Sequence, residues 1–355
     1  MDEDATTGCP KSTECRSIRT VDQLEEALST PTAGVIETLG RLDGDILILG
    51  VGGKMGPTLA RMARRGSDAA GARRRVIGVS RFSDAGLEAR LNAHGIETIR
   101  CNLLEEAKLN ALPKAPNVIH MAGMKFGATE DASLTWAMNC YLPARVCQRF
   151  GQSRIVAFST GNVYGLVSAE SGGSLESDSL NPDGDYAMSC LGRERMFEHF
   201  SGTVPVLVSI LRLNYACELR YGVLVDLAQQ VWAQQPINLS MGQVNVIWQG
   251  DANAMTLAAF DRVASPPFVL NIAGPEMLSV RQVCRQFGDL MGRTVRFTGT
   301  EAPEALLSNG KRGHQIFGCP RVNVAQLIRW IADWVQAGGP TLDKPTRFEV
   351  RDGRF

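Results

Sequence analysis

Three glycines in one short segment have the spacing of a phosphate-binding turn. The segment reads ILILGVGGKMGPTLARMARR, in which Gly50, Gly53 and Gly56 lie between a β-rich apolar run and a helical pattern. The first glycine permits a tight bend, the second lets the backbone approach a pyrophosphate, and the third lets the helix pack on the strand. The alternative is a structural turn that binds nothing. The strand–turn–helix context favours a dinucleotide site, with predicted contacts at Gly50, Gly53, Lys54, Met55 and Gly56.

The end of the next apolar run bears on which dinucleotide would bind. An acidic side chain there would accept a hydrogen bond from the ribose 2′-hydroxyl of NAD. The run ends instead in Ser80 and Arg81, and a guanidinium can pair with the 2′-phosphate of NADP. We predict cofactor contacts at both residues and favour NADP slightly over NAD. The alternative is that Arg81 points to solvent and NAD is held by other contacts.

The elements around this turn predict the scaffold. Short Val/Ile/Leu-rich runs alternate with helical stretches at 55–66, 132–150 and 186–200, and the runs are 45–50, 74–80, 97–103, 117–123, 153–160 and 204–213. Such runs are typical of strands that are buried on both faces. Their alternation with helices predicts an α/β fold, namely a Rossmann doubly wound parallel sheet with a smaller C-terminal substrate lobe.

This pattern divides the chain into three parts. We predict an N-terminal tail and helical extension at 1–44 and a Rossmann NAD(P)-binding domain at 45–213. Residues 214–355 would be mostly a substrate-binding lobe, with 244–260 returning to the Rossmann domain. The first eighteen or so residues are expected to be disordered. Thr20 and Gln23 fit a capping box, and we expect the helices of 20–43 to cover the edge of the sheet.

Composition argues against several classes of partner. Lys plus Arg and Asp plus Glu both number 37, so no net charge attracts a nucleic acid or an acidic membrane. No apolar run approaches the roughly 20 residues of a membrane span, and the acidic start is unlike a secretory signal. Nine cysteines without a C-x-x-C pair and four distant histidines lack zinc-ligand spacing. We predict a cytoplasmic protein with reduced cysteines, no metal, and no nucleic-acid or membrane partner.

Six ordered segments over about 290 residues, from Asp45 to Val335, carry a resemblance to a known family. They are the glycine turn, VIHMAGMKFG (118–127), MNCYLPARV (138–146), FSTGNVYG (158–165), Tyr186 with Glu194, and FVLNIAGPEMLSV (268–280). Together they resemble the extended short-chain dehydrogenase/reductases, of the NAD-dependent epimerase/dehydratase type. HMAGMKFG is especially similar to the corresponding turn of UDP-galactose 4-epimerases.

The resemblance implies an active site and a partner. It implies that Tyr186 exchanges a proton with the substrate and that Thr160 hydrogen-bonds the reacting oxygen. It also implies cofactor contacts in the turn after the fourth strand, and a supporting residue that we group with them: Ala122, Gly123, Lys125 and Asn139. The helices at 132–150 and 186–200 resemble those through which the family dimerises, so a homodimer is expected.

Two departures from the family bear on the reaction. The family's dehydratases have an Asp-Glu pair directly after the threonine, whereas this chain has Gly161 and Asn162, which disfavours elimination of water. The family's lysine, four residues after the tyrosine, is Cys190 here. That lysine holds the nicotinamide ribose and favours the tyrosinate by its charge.

The replacement favours one direction of reaction. A free tyrosine has a pKa of about 10, so an unassisted Tyr186 is a poor base but a suitable proton donor to an alkoxide. Cys190 therefore favours reduction over oxidation, and we interpret it as a packed, inert thiol. Lys125 or Arg193 could supply the missing charge. Lys125 is the better candidate, and its alternative role is a pyrophosphate contact.

The substrate segment also departs from the family. The N-Y-G-P step reads NYACE (214–218), and we predict substrate contacts at Asn214, Tyr215 and Arg220, although ordinary loop residues would look the same. The leading hypothesis is an NAD(P)-dependent oxidoreductase or epimerase that acts on a sugar or nucleotide sugar by hydride transfer. The alternative is a nucleotide-binding protein without turnover, with a sensor or assembly role. Retention of Thr160 and Tyr186 favours the enzyme.

Overall fold

A seven-stranded parallel sheet forms the centre of the protein. The computed structural model describes residues 17–125 and 127–354, so most of the predicted disordered tail lies outside the described residues. The sheet has the strand order β12-β7-β5-β4-β1-β2-β3, and every neighbouring pair is parallel. The strands are β1 Ile46–Leu49, β2 Val76–Ser80, β3 Glu97–Arg100, β4 Asn117–His120, β5 Arg154–Thr160, β6 Val167–Ser168, β7 Leu207–Leu213, β8 Ala216–Cys217, β9 Ile237–Asn238, β10 Gln243–Val244, β11 Ile247–Trp248, β12 Phe268–Ile272, β13 Leu278–Ser279, β14 Phe297–Thr298 and β15 Glu304–Ala305.

The predicted fold class is confirmed, with one strand assigned wrongly. All six apolar runs form strands of the sheet, but β12 is a seventh strand, paired with β7. Its run was placed in the substrate lobe because an apolar segment does not reveal which sheet it will join. Since all seven strands run the same way, their carboxyl ends meet at one edge. The glycine turn, Ser80 and Thr160 all lie at that edge.

Helices cover both faces of the sheet. They are α1 Val21–Ser29, α2 Ala33–Arg41, α3 Gly56–Ala69, α4 Leu87–Ala93, α5 Glu106–Ala111, α6 Ala132–Trp136, α7 Leu142–Arg149, α8 Gly184–Thr203, α9 Val223–Trp232, α10 Gln249–Ala258, α11 Val280–Met291, α12 Lys311–Phe317 and α13 Val324–Gln336. A π-helical turn, Ala137–Tyr141, joins α6 to α7, and two 3₁₀ turns lie at Gly161–Tyr164 and Ala259–Arg262. Among the described residues no helix is long and apolar enough to cross a membrane.

Successive side chains of β1 enter two different cores, as the alternation of a strand requires. Ile46 and Ile48 pack in one cluster with residues of α2, α3 and α10. Leu47 and Leu49 pack in another with residues of α7 and α8. The sheet is therefore buried on both faces, which explains why its strands appear as continuous apolar runs.

The N-terminal helices lie on other helices rather than on the edge of the sheet. The capping box of Thr20 and Gln23 begins α1, and Arg61 and Arg65 of α3 both form ion pairs with Glu26 of α1. Leu24 of α1 belongs to the core of the smaller lobe, whereas α2 packs in the Rossmann core. The expected edge position is wrong because the apolar faces of these helices are buried against α3 and α10.

The smaller lobe has its own core, built mainly from α9, α11 and α13. Helix α10 packs instead with α2 and α3 in the Rossmann core. Among the described residues, six cysteines are free thiols, namely Cys101, Cys140, Cys147, Cys190, Cys217 and Cys284.

Candidate active site

The glycine turn after β1 is closed on its inner side and open on its outer side. A Cβ at Gly56 would lie 2.1 Å from the Val51 carbonyl oxygen, and one at Gly50 (φ +94°) would lie 2.6 Å from the Ala122 nitrogen. Gly53 is exposed, and a Cβ there would meet only the Gly50 carbonyl oxygen, at 3.5 Å. The backbone at Gly53 is thus free to approach a ligand from outside.

Helix α3 begins at this turn and has an N-terminus that suits an anion. The helix is 14 residues long, and no side chain caps its first turn, where Met55 is the N-cap residue. The partial positive charge of the helix N-terminus therefore faces the turn. Together with the open surface at Gly53, this charge fits the pyrophosphate of a dinucleotide.

Lys54 extends from the turn toward the smaller lobe. Its Nζ lies 3.2 Å from the centroid of the Tyr221 ring. Burial, followed by the charges of Lys125 and Lys344, lowers the Lys54 pKa to about 7. A bound anion would counter both effects, because it would stabilise the ammonium form.

The end of β2 carries no free carboxylate. A Cβ at Gly52 would lie 2.4 Å from the Ser80 Oγ, so the glycine allows the turn to pack on the end of β2. Arg81 is exposed, and its carbonyl oxygen accepts a hydrogen bond from Arg100 Nη1 at 2.7 Å. The nearby carboxylate of Glu88 is paired with Arg100 at 2.6 Å. The structure therefore leaves Arg81 exposed at the end of β2 and places the Arg100 guanidinium against the Arg81 and Phe82 carbonyl oxygens.

Tyr186 lies in the first turn of α8, at the same edge of the sheet as Thr160, which ends β5. The Thr160 Oγ1 donates to Asn162 Oδ1 at 2.9 Å, and the Thr160 side chain is close enough to Tyr186 to influence its pKa. The Cys190 thiol, one turn further along α8, also influences the Tyr186 pKa. Burial and then Cys190 raise the Tyr186 pKa, which outweighs the lowering by Thr160 and Arg193. Tyr186 is therefore a neutral phenol at ordinary pH.

Lys125 approaches Tyr186 from the turn after β4. Its Nζ is 5.6 Å from the centroid of the tyrosine ring. Burial lowers the Lys125 pKa to about 8, and the surrounding acidic groups Cys190 and Asp226 oppose that shift. The ammonium is thus mostly charged at pH 7 and readily loses its proton above pH 8.

Arg193 supports this turn from the opposite side. It is buried, and its Nη1 and Nη2 donate to the Phe158 carbonyl oxygen at 2.8 Å and to Asn139 Oδ1 at 2.7 Å. The Asn139 amide in turn binds both the N–H and the carbonyl of Met124, at 2.9 and 2.8 Å. A Cβ at Gly123 would lie 2.4 Å from Arg193 Nη2, so glycine is required for the guanidinium to approach.

The predicted cofactor contact at Asn139 is therefore corrected. Its side chain is fully buried, and its last N–H donates to Ser189 Oγ at 3.0 Å, which satisfies all four of its hydrogen-bonding positions. Asn139 lies at the centre of the π-helical turn, and such turns are common at functional sites because they re-aim a side chain. The residue positions the Met124–Lys125 backbone and has no donor left for a ligand.

Two of the three predicted substrate contacts are also corrected. Asn214 is 2 % exposed, and its Nδ2 donates to Asn245 Oδ1 at 2.8 Å. The Arg220 guanidinium is paired with Glu218 at 3.0 Å and with Glu25 at 3.2 Å. Tyr215 remains half-buried, with a left-handed backbone at φ +42°. The polar residues of this segment mostly hold the protein together.

Other polar groups near the site are structural. His120 is fully buried against the edge of Phe197, and burial lowers its pKa to about 3, so it is neutral. Glu194 and Arg212 form a buried ion pair at 2.7 Å. Among the described residues no cluster of three or more His, Cys, Asp or Glu could hold a metal ion.

Sequence analysis missed two residues that face the glycine turn from the smaller lobe. Tyr221 lies under Lys54, and Asp226 of α9 influences the pKa of both Lys54 and Lys125. Neither residue belongs to a recognisable motif. They reach the turn only because the smaller lobe folds over the edge of the sheet.

Residues 46–217 match the model of the NAD dependent epimerase/dehydratase family, the family type that the sequence resembles. No curated protein matches the sequence.

Several solved structures have the same fold. UDP-glucuronic acid 4-epimerase from Bacillus cereus, in complex with UDP-glucuronic acid and NAD, is 16% identical with a TM-score of 0.67, covering 82% of this chain and 99% of that one. MoeE5 in complex with UDP-glucose and NAD is 20% identical with a TM-score of 0.65, covering 83% and 99%. dTDP-glucose 4,6-dehydratase from Bacillus anthracis, in complex with NAD, is 14% identical with a TM-score of 0.67, covering 83% and 97%. At these identities the likeness establishes the fold.

Proposed function

We propose that the protein is an NAD(P)-dependent oxidoreductase or epimerase that acts on a sugar or nucleotide sugar. The observation that carries this proposal is the position of Tyr186, whose pKa is influenced by the Thr160 side chain and whose ring centroid lies 5.6 Å from the Lys125 Nζ. These groups lie at the same sheet edge as an open glycine turn. When bound there, a nicotinamide dinucleotide would supply or accept a hydride.

Each side chain then has a distinct role. Thr160 would hold the reacting oxygen of the substrate beside the Tyr186 hydroxyl. In reduction of a carbonyl, Tyr186 donates its proton to that oxygen as the carbon receives hydride, which leaves a tyrosinate. In oxidation of a carbinol, the tyrosinate takes the hydroxyl proton. Proton transfer of this kind contributes typically 10²- to 10⁴-fold to a rate.

Cys190 favours the first of these directions. A lysine at this place would stabilise tyrosinate, whereas the Cys190 thiol raises the Tyr186 pKa. A neutral Tyr186 is already in the protonation state that reduction needs. Its tyrosinate, once formed, would be stabilised by Arg193, whose charge lowers the Tyr186 pKa, and we assign Lys125 to the same task when it is protonated.

The substrate class follows from the residues around Thr160 and from the relatives. Gly161 and Asn162 provide no carboxylic acid, and Asn162 is hydrogen-bonded back to Thr160, which argues against elimination of water. The structures of similar fold contain UDP-glucose or UDP-glucuronic acid together with NAD. A hydroxylated sugar, free or attached to a nucleotide, is the class of substrate that we propose.

The dinucleotide that we propose is NADP. It is supported by the lack of a free carboxylate at the end of β2 and by the exposed Arg81 and Arg100 beside it. The relatives contain NAD, and retention of NAD by this protein would point to epimerisation instead, in which the cofactor is recycled within the site.

We further propose a homodimer formed through α6, α7 and α8. Large apolar side chains on these helices and the π-helical turn between them are exposed, namely Leu134 37%, Trp136 36%, Tyr141 54% and Met188 47%. Such side chains on adjacent helices are typical of an interface. The cytoplasmic location stays a prediction from sequence.

Replacement of the tyrosine hydroxyl tests the proposed chemistry. UDP-glucose and UDP-glucuronic acid would be incubated with the protein and NAD, and carbonyl sugars with NADPH or NADH. We expect Tyr186→Phe to lower turnover at least 100-fold while dinucleotide affinity stays within twofold, since the lost group acts on the proton alone. Tyr141→Phe is the matched control, because it removes the hydroxyl of an exposed tyrosine and keeps the ring that the proposed dimer interface would bury.

The outcomes separate three possibilities. Interconversion of sugars without net change in nicotinamide absorbance indicates an epimerase, whereas net consumption of NADPH indicates a reductase. If the wild-type protein binds a dinucleotide but turns over none of these sugars, the non-catalytic alternative gains support. If it binds neither NAD nor NADP, the proposed function is wrong.

A further inference from the structure

The last described residues cross from one part of the site to another without forming a helix or strand. We call residues 341–354 the C-terminal strap. Its first half is tied to the smaller lobe, where the Leu342 N–H donates to the Arg220 carbonyl oxygen at 3.0 Å. The Thr346 N–H and hydroxyl both donate to Asp226 Oδ2, at 2.8 and 2.6 Å. Phe348, 4 % exposed, belongs to the core of that lobe.

This half of the strap lies beside the glycine turn. Tyr221 is the residue after Arg220 and packs its ring 3.2 Å from Lys54 Nζ, so the segment that holds the strap also touches the turn. The charge of Lys344, on the strap itself, contributes to the lowered pKa of Lys54. The strap is therefore next to the predicted pyrophosphate position.

The second half of the strap reaches the tyrosine helix. Arg351 Nη1 donates to the carbonyl oxygens of Glu304 at 2.7 Å and Ser240 at 3.1 Å. Beyond it, Gly353 lies so close to the start of α8 that an added Cβ would be 2.4 Å from the Asp183 carbonyl oxygen. Asp183 is the N-cap of the helix that carries Tyr186.

We propose that the C-terminal strap is the outer wall of the ligand site and that its Gly353 end must lift for a bound dinucleotide to leave. The strap has contacts beside Lys54 and at the start of the Tyr186 helix, and the proposal places it over the space between them. The inference rests on the proposed function and adds to it a segment that controls ligand exchange.

The two ends of the strap are held unequally. Thr346 and Phe348 are buried, and the carboxylate of Asp226 holds Thr346 by two hydrogen bonds. The far end is held by one half-buried guanidinium and by backbone packing at Gly353. Local opening begins where few buried contacts must be broken, so the Gly353 end opens first.

Two glycines offer a matched test. Gly353→Ala places a methyl group against the Asp183 carbonyl at a backbone φ of +67°, whereas Gly338→Ala introduces the same strain at φ +66° with nothing within 4 Å. Hydrogen exchange of peptides covering 183–190 and 341–354 measures opening. Release of bound NADH or NADPH, followed by its fluorescence during a chase with excess oxidised dinucleotide, measures exchange of the ligand.

We expect Gly353→Ala to speed hydrogen exchange in both peptides and to raise the dissociation rate of the dinucleotide at least fivefold. Gly338→Ala should leave both unchanged. A chain that ends at Val350 lacks the far end altogether and retains Phe348, so it should release the dinucleotide at least as fast as Gly353→Ala.

Other outcomes overturn the proposal in distinguishable ways. Equal dissociation rates in the wild-type protein and the chain ending at Val350 would show that the strap does not retain the ligand, while the proposed function stands. Failure of the wild-type protein to bind NADH or NADPH would overturn both proposals.

Discussion

The glycine turn and the Asn214–Arg220 segment both have the residue types of a binding site, yet they use them in opposite ways. At the turn, Gly53 is exposed and an added Cβ would meet only the Gly50 carbonyl oxygen, at 3.5 Å, among the described residues, while Gly50 and Gly56 fit closely against the backbone within. In the second segment, Asn214 is committed to Asn245 and Arg220 to Glu218. The first segment leaves open backbone surface for a ligand, whereas the second uses its polar side chains in contacts within the protein.

The difference teaches that a backbone motif is easier to interpret than a cluster of polar side chains. The shape of the turn follows from the absence of three Cβ atoms, which is a local property of the sequence. Whether a polar side chain is available depends on which partners the fold brings to it. Asn245 and Glu25 are distant in sequence from the residues that they bind.

The largest effect is expected from a substitution on the inner side of the glycine turn, where the backbone is closely packed. Gly56→Ala puts a Cβ 2.1 Å from the Val51 carbonyl oxygen, and we expect it to lower the free energy of unfolding by about 3 kcal/mol and to abolish dinucleotide binding. Chemical denaturation measures the first effect. Gly202→Ala, in a helix with nothing within 4 Å, should retain full stability. Equal stability of the two variants would contradict the close fit.

The next prediction tests whether the Asn214–Arg220 segment stabilises the protein rather than binding the substrate. Arg220→Gln leaves Glu218, which is 1 % exposed, without its ion pair, and should cost about 2 kcal/mol of folding stability. The substrate KM should stay within twofold. Arg285→Gln, at an exposed arginine of α11, is the control. A large rise in KM at unchanged stability would restore Arg220 as a substrate contact.

A smaller effect is expected from the lysines near the glycine turn, and it tests whether the turn binds the phosphates of the cofactor. Lys54 and Lys125 have pKa values of about 7 and about 8, lowered from that of a free lysine, so both lose charge as the pH rises. Affinity for NADPH should therefore be highest near pH 6 and should fall toward pH 9. Lys54→Gln should weaken binding about tenfold at pH 6, equivalent to about 1.4 kcal/mol. The variant should also show a smaller change of NADPH affinity around pH 7, where Lys54 titrates.

The control for this pH profile lies at the other edge of the sheet. Lys114 is exposed and precedes β4 at its amino end, so Lys114→Gln should leave both the affinity and its pH dependence unchanged. If Lys54→Gln had the same pH dependence of NADPH affinity as the wild-type protein, Lys54 would not be part of the site.

The smallest effect concerns the nucleotide specificity of the same turn. Arg81→Gln should weaken NADPH binding about fivefold and leave NADH binding unchanged, because an exposed guanidinium adds only about 1 kcal/mol to a phosphate contact. Titration of both dinucleotides by fluorescence measures the ratio. Equal changes for NADPH and NADH would argue against a 2′-phosphate at Arg81.

Most of the fold was predictable because its strands are short apolar runs between recognisable helices. The edge strand β12 was not, since Phe268–Ile272 is also an apolar run and only its pairing with β7 shows where it belongs. In the site, Tyr186 and Thr160 could be located by resemblance. The influence of Thr160 on the Tyr186 pKa and the approach of Lys125 required the folded chain.

The sequence by itself determined the backbone of the glycine turn, the period of each element and the presence of Cys190 four residues after Tyr186. These properties are local, because they depend on Cβ atoms and side-chain spacing within a few residues. Only the tertiary structure decided that burial, and then Cys190, raise the Tyr186 pKa and that Arg220 is paired with Glu218 and Glu25. It alone brought the C-terminal strap to the start of the tyrosine helix. Desolvation and pairing depend on atoms that are far apart along the chain, so no local pattern contains them.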